Sequence, residues 1–135
     1  MMQTIHNTVA VNIPSAPIIP GLTFRAFRGE SDFPHMVAVI EGSKKHDQGE
    51  RVITAENLAN HFKHLDNCDP YQDMLFAEID GQVIGYSRVQ WEKESNGSYH
   101  YRAWGIILPA WRVQGIGSAM LKYNENHLRE IAQQH

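Results

Sequence analysis

The sequence lacks most of the features that would place a protein outside the cell or in a membrane. Its 135 residues include one cysteine, Cys68, so no disulfide can form within the chain. The N-terminus has no basic segment followed by an apolar one, and no apolar run is long enough to span a bilayer. We therefore expect a cytoplasmic protein without a membrane partner.

An excess of positive charge is also missing. The chain has 12 lysines and arginines against 15 aspartates and glutamates, a net charge of −3, and its basic residues are dispersed. Proteins that bind nucleic acid or anionic membranes present a basic surface, so we expect neither as a partner. Hydrophobic residues make up 42% of the chain, which suffices for the core of one domain. We expect this domain to bind a small molecule.

No set of metal-ligating residues is evident either. His61 and His64 lie three residues apart on a predicted helix. No cysteine, glutamate or third histidine follows at the spacing that a metal site needs. We expect a partly solvated helix face here and no metal.

The distribution of prolines divides the chain into an arm and a domain. Residues 1–21 form the predicted arm, with three prolines around the alternating run 9–13. That run suits an edge strand, added either within the chain or between chains. Residues 22–135 form the predicted domain.

Two helices are predicted in the first half of this domain, after a strand over 22–28. The first helix begins at the capping residues Ser31 and Asp32 and ends near Gly42. The second is capped by Thr54 and covers 55–65. A polar loop is predicted over 66–73.

The second half opens with the clearest local signal in the chain, a β-hairpin. Strands over 74–79 and 82–89 flank an Asp80-Gly81 pair, which is a preferred two-residue hairpin turn. A further strand over 99–108 leads into a final helix. The apolar residues of that helix, from Ile116 onward, recur at helical spacing.

The stretch 106–121, where this last strand meets the final helix, has the composition of a ligand-binding loop. Gly115 and Gly117 carry no Cβ, so the backbone can approach a ligand closely. The first amides of a helix have no intrahelical partners and lie at the positive end of its dipole. The loop therefore suits phosphate oxygens.

Other glycine motifs fit this stretch less well. A P-loop requires lysine followed by serine or threonine after its last glycine, but Ser118 and Ala119 follow Gly117. A dinucleotide-binding fingerprint requires a small residue where Met120 stands. The remaining alternative is that the two glycines only shape a tight turn between strand and helix.

In the spacing Arg112-x-x-Gly115-x-Gly117, the chain resembles the GNAT superfamily of N-acetyltransferases. Pro109 and Trp111 before the arginine strengthen the resemblance. The hairpin at residues 74–89 is similar to the central hairpin of the GNAT fold. The resemblance covers about residues 22–132 and implies an α/β (α+β) fold, with a mixed, mostly antiparallel sheet flanked by helices.

This resemblance implies acetyl-coenzyme A as cosubstrate and transfer of its acetyl group to a primary amine. The implied pantetheine contacts are Ile106 and Leu108, and Arg112 supplies charge near the phosphates. The implied pyrophosphate contacts are Val113, Gln114, Gly115, Ile116, Gly117 and Ser118. The sequence does not indicate which amine is the acceptor.

Catalytic candidates come from the strands expected to border the coenzyme slot. Glu78 on the hairpin, and His100 and Tyr101 on the following strand, carry ionisable or hydrogen-bonding groups. Each is a candidate to move a proton from the amine or to the thiolate.

Family members usually continue beyond the final helix with a splayed strand and further elements, whereas this sequence ends at His135. The C-terminal strands are therefore expected to be missing. We expect a homo-oligomer or a partner segment at the open strand, and weak turnover by this chain alone, because positioning contributes strongly to rate. The alternative hypothesis is a non-catalytic module that binds an acyl-coenzyme A or a partner.

Overall fold

A five-stranded antiparallel sheet forms the centre of the computed structural model, which describes residues 10–44 and 52–135. Strands neighbour one another in chain order, from β1 to β5. They are β1 Ala10–Val11, β2 Leu22–Arg25, β3 Met74–Ile79, β4 Gln82–Lys93 and β5 Tyr99–Ile107. The predicted fold class, a mostly antiparallel sheet flanked by helices, is confirmed.

Four α-helices flank this sheet in the described parts of the chain. They are α1 Phe33–Lys44, α2 Ala55–Phe62, α3 Pro70–Asp73 and α4 Ile116–Ala132. Short 3₁₀ turns at Glu30–Asp32 and Pro109–Trp111 precede α1 and α4. None of the helices within these described residues is long and apolar enough to cross a membrane.

The predicted hairpin is present, with a tight turn at Asp80 and Gly81. Both residues have positive φ, 50° and 83°, as a two-residue turn of this kind requires. Strand β4 continues to Lys93, four residues past the predicted end at Val89, because its residues from Gly85 to Lys93 pair with β5.

Two apolar cores lie on opposite faces of the sheet, since successive strand residues point to opposite sides. Leu75 and Ala77 face α4 and pack with Ile116 and Met120. On the other face, Met74, Phe76 and Tyr86 contact α1 and α2. Strands β3 and β4 are consequently buried on both faces.

The predicted arm contributes a short edge strand within the chain. Ala10 pairs with Arg25 and Val11 with Phe24, and the side chain of Ile13 is buried in the core beside α4. Residue 9 of the predicted strand, with the rest of 1–9, lies outside the described residues.

Three predictions for the first half of the domain were partly wrong. Asp32 does not cap α1, because its carboxylate is buried and pairs with Arg25. The first strand ends at Arg25 rather than at residue 28, and the Arg28 amide donates instead to Asp32. Thr54 does cap α2, through reciprocal hydrogen bonds with Asn57, but that helix ends at Phe62.

The predicted polar loop over 66–73 contains the short helix α3. Its N-cap is Asp69, whose carboxylate accepts a hydrogen bond from the Tyr71 amide. Pro70 occupies the first helical turn, where a missing N–H is not needed. The local capping signal was therefore present in the sequence, although the segment is too short to show helical periodicity.

Candidate functional site

A groove of about 670 Å³ runs between β5 and the N-terminal half of α4. We call it the helix groove. Ala103, Gly105 and Ile107 of β5 form one wall, and Ser118, Leu121 and Asn124 of α4 form the other. Asn124 is buried and donates to the Ser87 hydroxyl at 2.9 Å, which ties α4 to β4 in the groove floor.

The loop between β5 and α4 closes one end of this groove. Arg112 fastens the loop, because its Nε donates to the carbonyl oxygen of Ile107 at 2.6 Å. Val113 has φ 59°, an unusual value for a β-branched residue, and its side chain is exposed. The backbone is thus held in an unfavourable conformation where a ligand is expected to bind.

Gly115 forms the N-cap of α4 in the left-handed conformation, with φ 94°. No side chain caps this helix. The first amides of a helix have no intrahelical acceptors and attract anions. Gly117, two residues after Gly115, also lines the groove and has no side chain to fill it.

The structure brings most of the predicted coenzyme-binding residues to the helix groove. Its lining includes Ile106, Arg112, Val113, Gly115, Gly117 and Ser118. Three others do not line it. Ile116 is buried in the core, Leu108 packs against both cores, and Gln114 donates to the Ala110 carbonyl.

The three catalytic candidates lie elsewhere. Glu78 is buried in an ion pair with Arg25, and the Arg25 Nε to Glu78 Oε2 distance is 2.8 Å. His100 is exposed near Glu94, and the Tyr101 hydroxyl lies 2.7 Å from Nδ1 of His135. Tyr101 is six residues along β5 from Ile107, roughly 20 Å in an extended strand. None of the three lines the helix groove.

A second cavity, of about 640 Å³, lies on the other face of the sheet beneath α1 and α2. We call it the aromatic cavity. Its walls are mostly apolar and come from both helices and from β4 and β5. Its lining includes Met36, Ile40, Leu58, Phe62, Arg88 and Trp104.

Three residues border both spaces: Tyr86, Trp104 and Ile106. Tyr86 and Trp104 contact each other edge to face, with ring centroids 6.2 Å apart. Burial raises the pKa of Tyr86 to about 12, so its hydroxyl stays protonated and can donate a hydrogen bond. The helix groove and the aromatic cavity therefore share a residue with a hydrogen-bond donor in their linings.

Arg88 is the one charged side chain among the described residues that line the aromatic cavity, and the sequence reasoning missed it. It is 6% exposed, and its Nε and Nη1 atoms have no hydrogen-bond partner. The guanidinium carbon lies 5.0 Å from the Trp104 ring centroid and 5.5 Å from that of Phe62. The signal was available, because Arg88 has the same strand parity as the inward-facing Tyr86.

His61 is exposed at the edge of the aromatic cavity, where its ring contacts Phe62, and His64 is exposed on the turn after α2. Within residues 10–44 and 52–135, no cluster of three or more ligating side chains is arranged to hold a metal ion.

A family model described as an acetyltransferase (GNAT) domain matches residues 70–135. Those residues contain the hairpin, β5, the loop and α4. No curated protein sequence matches the chain.

Solved GNAT acetyltransferases share the fold. The GCN5-related N-acetyltransferase of Sphaerobacter thermophilus has a TM-score of 0.71 at 18% identity, and the match covers 87% of this chain and 35% of that one. A putative acetyltransferase of Salmonella typhimurium with its cofactor acetyl-CoA gives 0.63 at 18% identity, with coverages of 82% and 64%. A GNAT acetyltransferase of Brucella melitensis in complex with acetyl-CoA gives 0.60 at 20% identity, with coverages of 82% and 70%.

The chain spans only 35% and 64% of the first two of these structures. At such identities the similarity to the solved structures shows only the fold. The family model matches the segment that contains the helix groove. Residues 70–135 therefore match the family model of a GNAT acetyltransferase domain, and the described chain has the GNAT fold.

Proposed function

We propose that this protein transfers the acetyl group of acetyl-coenzyme A to the nitrogen of a primary amine. The observation that carries the proposal is the helix groove, which runs along β5 and ends at the glycine-capped start of α4. An elongated ligand with an anionic end fits a groove of this shape and polarity.

In this proposal the coenzyme lies along the groove with its pyrophosphate at residues 113–118. The amides of the first turn of α4 donate to the phosphate oxygens, and Arg112 adds positive charge beside them. Ile106 is the proposed partner of the pantetheine arm, whereas Leu108, the second residue predicted for this role, packs against the cores and does not line the groove. The thioester then lies further along β5, near Tyr86 and Trp104.

The acceptor amine enters from the aromatic cavity. This follows from the three residues that border both spaces, because a thioester beside Tyr86 is accessible from either side of β5. The amine nitrogen forms a bond with the carbonyl carbon, and the carbon–sulfur bond breaks. The amine loses a proton to solvent or a base, and the departing thiolate is protonated.

The Tyr86 hydroxyl is the proposed donor to the thioester oxygen as charge develops there. With a pKa of about 12, it is a weaker acid than a thiol, whose ordinary value is about 8.5. It is therefore better suited to donating a hydrogen bond than to protonating the thiolate outright.

Binding of acetyl-coenzyme A by a Gly117→Leu variant tests the site. We expect titration calorimetry to show loss of binding, because the added side chain occupies the groove beside Ile107. Glu125→Leu is a matched control, because it adds the same side chain to the exposed face of α4. Unchanged affinity in Gly117→Leu would rule out this loop.

A thiol-release assay with a panel of amines tests the chemistry. Release of free coenzyme A that depends on an amine supports the proposed transferase. Coenzyme binding without amine-dependent release favours the alternative, a non-catalytic acyl-coenzyme A-binding module.

We further propose that β5 pairs with a second copy or with another segment, and that this partner is needed for full turnover. Among the described residues, β5 pairs only with β4, so its outer edge is open beside the groove. Trp104 on this strand is 45% exposed. Open edges of this length usually acquire a partner. A cytoplasmic location is proposed from the single free cysteine.

A further inference from the structure

We infer that the acceptor is an amine that also carries a carboxylate, with an apolar or aromatic body, and that Arg88 binds that carboxylate. A small amino acid such as phenylalanine or leucine has this chemistry. The inference rests on the proposed acetyl transfer for its reaction, but the binding of the carboxylate can be tested separately.

The Arg88 guanidinium is isolated from other charged groups among the described residues. Its Nε and Nη1 atoms are buried and have no hydrogen-bond partner within the described parts of the chain. Buried charged groups in proteins are normally paired, because burying an unpaired charge is strongly unfavourable. An anionic ligand in the cavity would supply the missing acceptors.

Within residues 10–44 and 52–135, the neighbours of Arg88 offer no counter-charge. Burial raises the pKa of the Cys68 thiol to about 11 and that of Tyr86 to about 12, so both groups are neutral near pH 7. The other close partners of the guanidinium are the faces of Phe62 and Trp104. These rings hold the planar group in place by cation–π contact but accept no hydrogen bonds from it in the usual geometry.

Arg25 shows how the same fold treats a structural arginine. It is 3% exposed and is paired with Asp32 at 2.6 Å and Glu78 at 2.8 Å, and it also donates to the Ala26 carbonyl. Arg25 on β2 and Arg88 on β4, two strands that both pair with β3, are thus similarly buried, but only Arg25 has carboxylate partners among the described residues. The contrast indicates that the partner of Arg88 comes from outside.

The shape and composition of the cavity select the kind of anion. A single guanidinium binds a carboxylate through two parallel hydrogen bonds, whereas a phosphate dianion usually recruits further donors. The remaining walls are apolar, with Met36, Ile40 and Leu58 facing the space. They suit a hydrocarbon or aromatic side chain.

The sheet register limits the size of the acceptor. Arg88 pairs with Trp104, and the adjacent pair on the same face is Tyr86 with Ile106, where the thioester is proposed to lie. Two residues along a strand correspond to roughly 7 Å. A carboxylate on Arg88 therefore keeps the amine of a small amino acid near the thioester, while a long peptide would separate the two groups.

The decisive experiment compares acceptors that differ only in the carboxylate. Thiol release is measured with phenylalanine, phenylalanine amide and phenethylamine, and with the corresponding leucine series. We expect at least a tenfold higher kcat/KM for the free acids, mainly through a lower KM. In Arg88→Gln this preference should disappear, while calorimetric affinity for acetyl-coenzyme A stays unchanged.

Two further variants serve as controls. Arg102→Gln removes the same charge from β5, but this arginine is exposed and pairs with Glu92, so the preference for acids should remain. Arg88→Lys keeps a cation without the planar fork and should retain part of the preference. Circular dichroism establishes that each variant is folded.

Binding measured without turnover separates this inference from the proposed function. If no amine releases thiol, but N-acetylphenylalanine raises Tm in the native protein and not in Arg88→Gln, the carboxylate site stands and the transferase proposal fails. Three results would each overturn the inference. They are equal kcat/KM for acids and amides in the native protein, an equal decrease in kcat/KM for acids and amides in Arg88→Gln, and a preference for phosphoethanolamine.

Discussion

Replacing Glu78 with glutamine distinguishes a structural role for this carboxylate from a catalytic one. Glu78 and Asp32 share the Arg25 guanidinium, with contacts of 2.8 Å from Glu78 and of 2.6 and 3.0 Å from Asp32. All three residues are buried. The cluster links β2, β3 and the 3₁₀ turn before α1, on the side of the sheet away from α4.

The two carboxylates contribute unequally to this cluster. Asp32 forms both bonds to the end of the guanidinium and also accepts from the Arg28 amide at 2.7 Å, whereas Glu78 accepts only from Arg25 Nε. In Glu78→Gln the amide oxygen still accepts that bond, and Asp32 still neutralises Arg25. Because a charge-assisted bond contributes about 1.5–3 kcal/mol, we expect a loss of about 1–2 kcal/mol in unfolding free energy.

Asp32→Asn should be more damaging. It leaves Glu78, at Nε, as the one carboxylate on Arg25 within the described residues, and breaking a buried ion pair costs about 3–5 kcal/mol. Thermal unfolding by circular dichroism measures both variants. A loss of about 1–2 kcal/mol in Glu78→Gln corresponds to a decrease in Tm of roughly 3–10 °C for a domain of this size.

The turnover number of Glu78→Gln distinguishes a structural role of Glu78 from a catalytic one. Measured well below Tm with a reactive amine, kcat of Glu78→Gln should equal that of the native protein, because Glu78 lies outside both the helix groove and the aromatic cavity. A hundredfold decrease in kcat with unchanged Tm would refute the structural role and place Glu78 in the chemistry.

Three other outcomes follow from the structure. Gly115→Ala and Gly97→Ala both place a side chain on a backbone with φ above 90°, so each should reduce the unfolding free energy by about 1–2 kcal/mol. Only Gly115→Ala should also weaken acetyl-coenzyme A binding in calorimetry. The hydrogen bond with Asp73, together with the nearby negative charge, raises the pKa of His127 in the folded protein. The stability that His127 contributes is therefore complete below its pKa in the unfolded chain, about 6.5, and is lost as pH rises through its pKa in the folded protein. Chemical denaturation should show the native protein losing its advantage over His127→Gln across that window, and a constant difference would contradict the assignment. Light scattering should show a dimer or larger species at micromolar concentration, and a monodisperse monomer would count against pairing at β5.

The hairpin and the glycine loop were predictable because their signals are local. Asp80 and Gly81 determine a turn type by themselves, and Gly115 with Gly117 determines where a backbone can approach a ligand. Such features depend on residues close together in the sequence. Tertiary packing then had only to preserve them.

The ion-pair cluster and the aromatic cavity were not predictable in the same way. Asp32 looked like a helix cap because its partner, Arg25, lies on the preceding strand, and a sequence does not show which donor a carboxylate will meet. Glu78, His100 and Tyr101 were chosen for their chemistry on suitable strands. Which end of a strand borders the groove depends on where α4 packs, and that is a property of the assembled sheet.

The chain-order arrangement of the strands has a consequence for folding kinetics. Pairing between β3, β4 and β5 closes only short turns, whereas Leu22 of β2 pairs with Ile79, which is 57 residues later (79 minus 22). Closing the longer loop loses more chain entropy, so we expect the β3–β5 meander to form first and β2 to add afterwards. Pulsed hydrogen exchange during refolding should then protect amides of β4 before those of β2, and simultaneous protection would contradict this order. The early segment lies within residues 70–135, so the half of the domain that carries the helix groove is also the part that assembles from nearest neighbours.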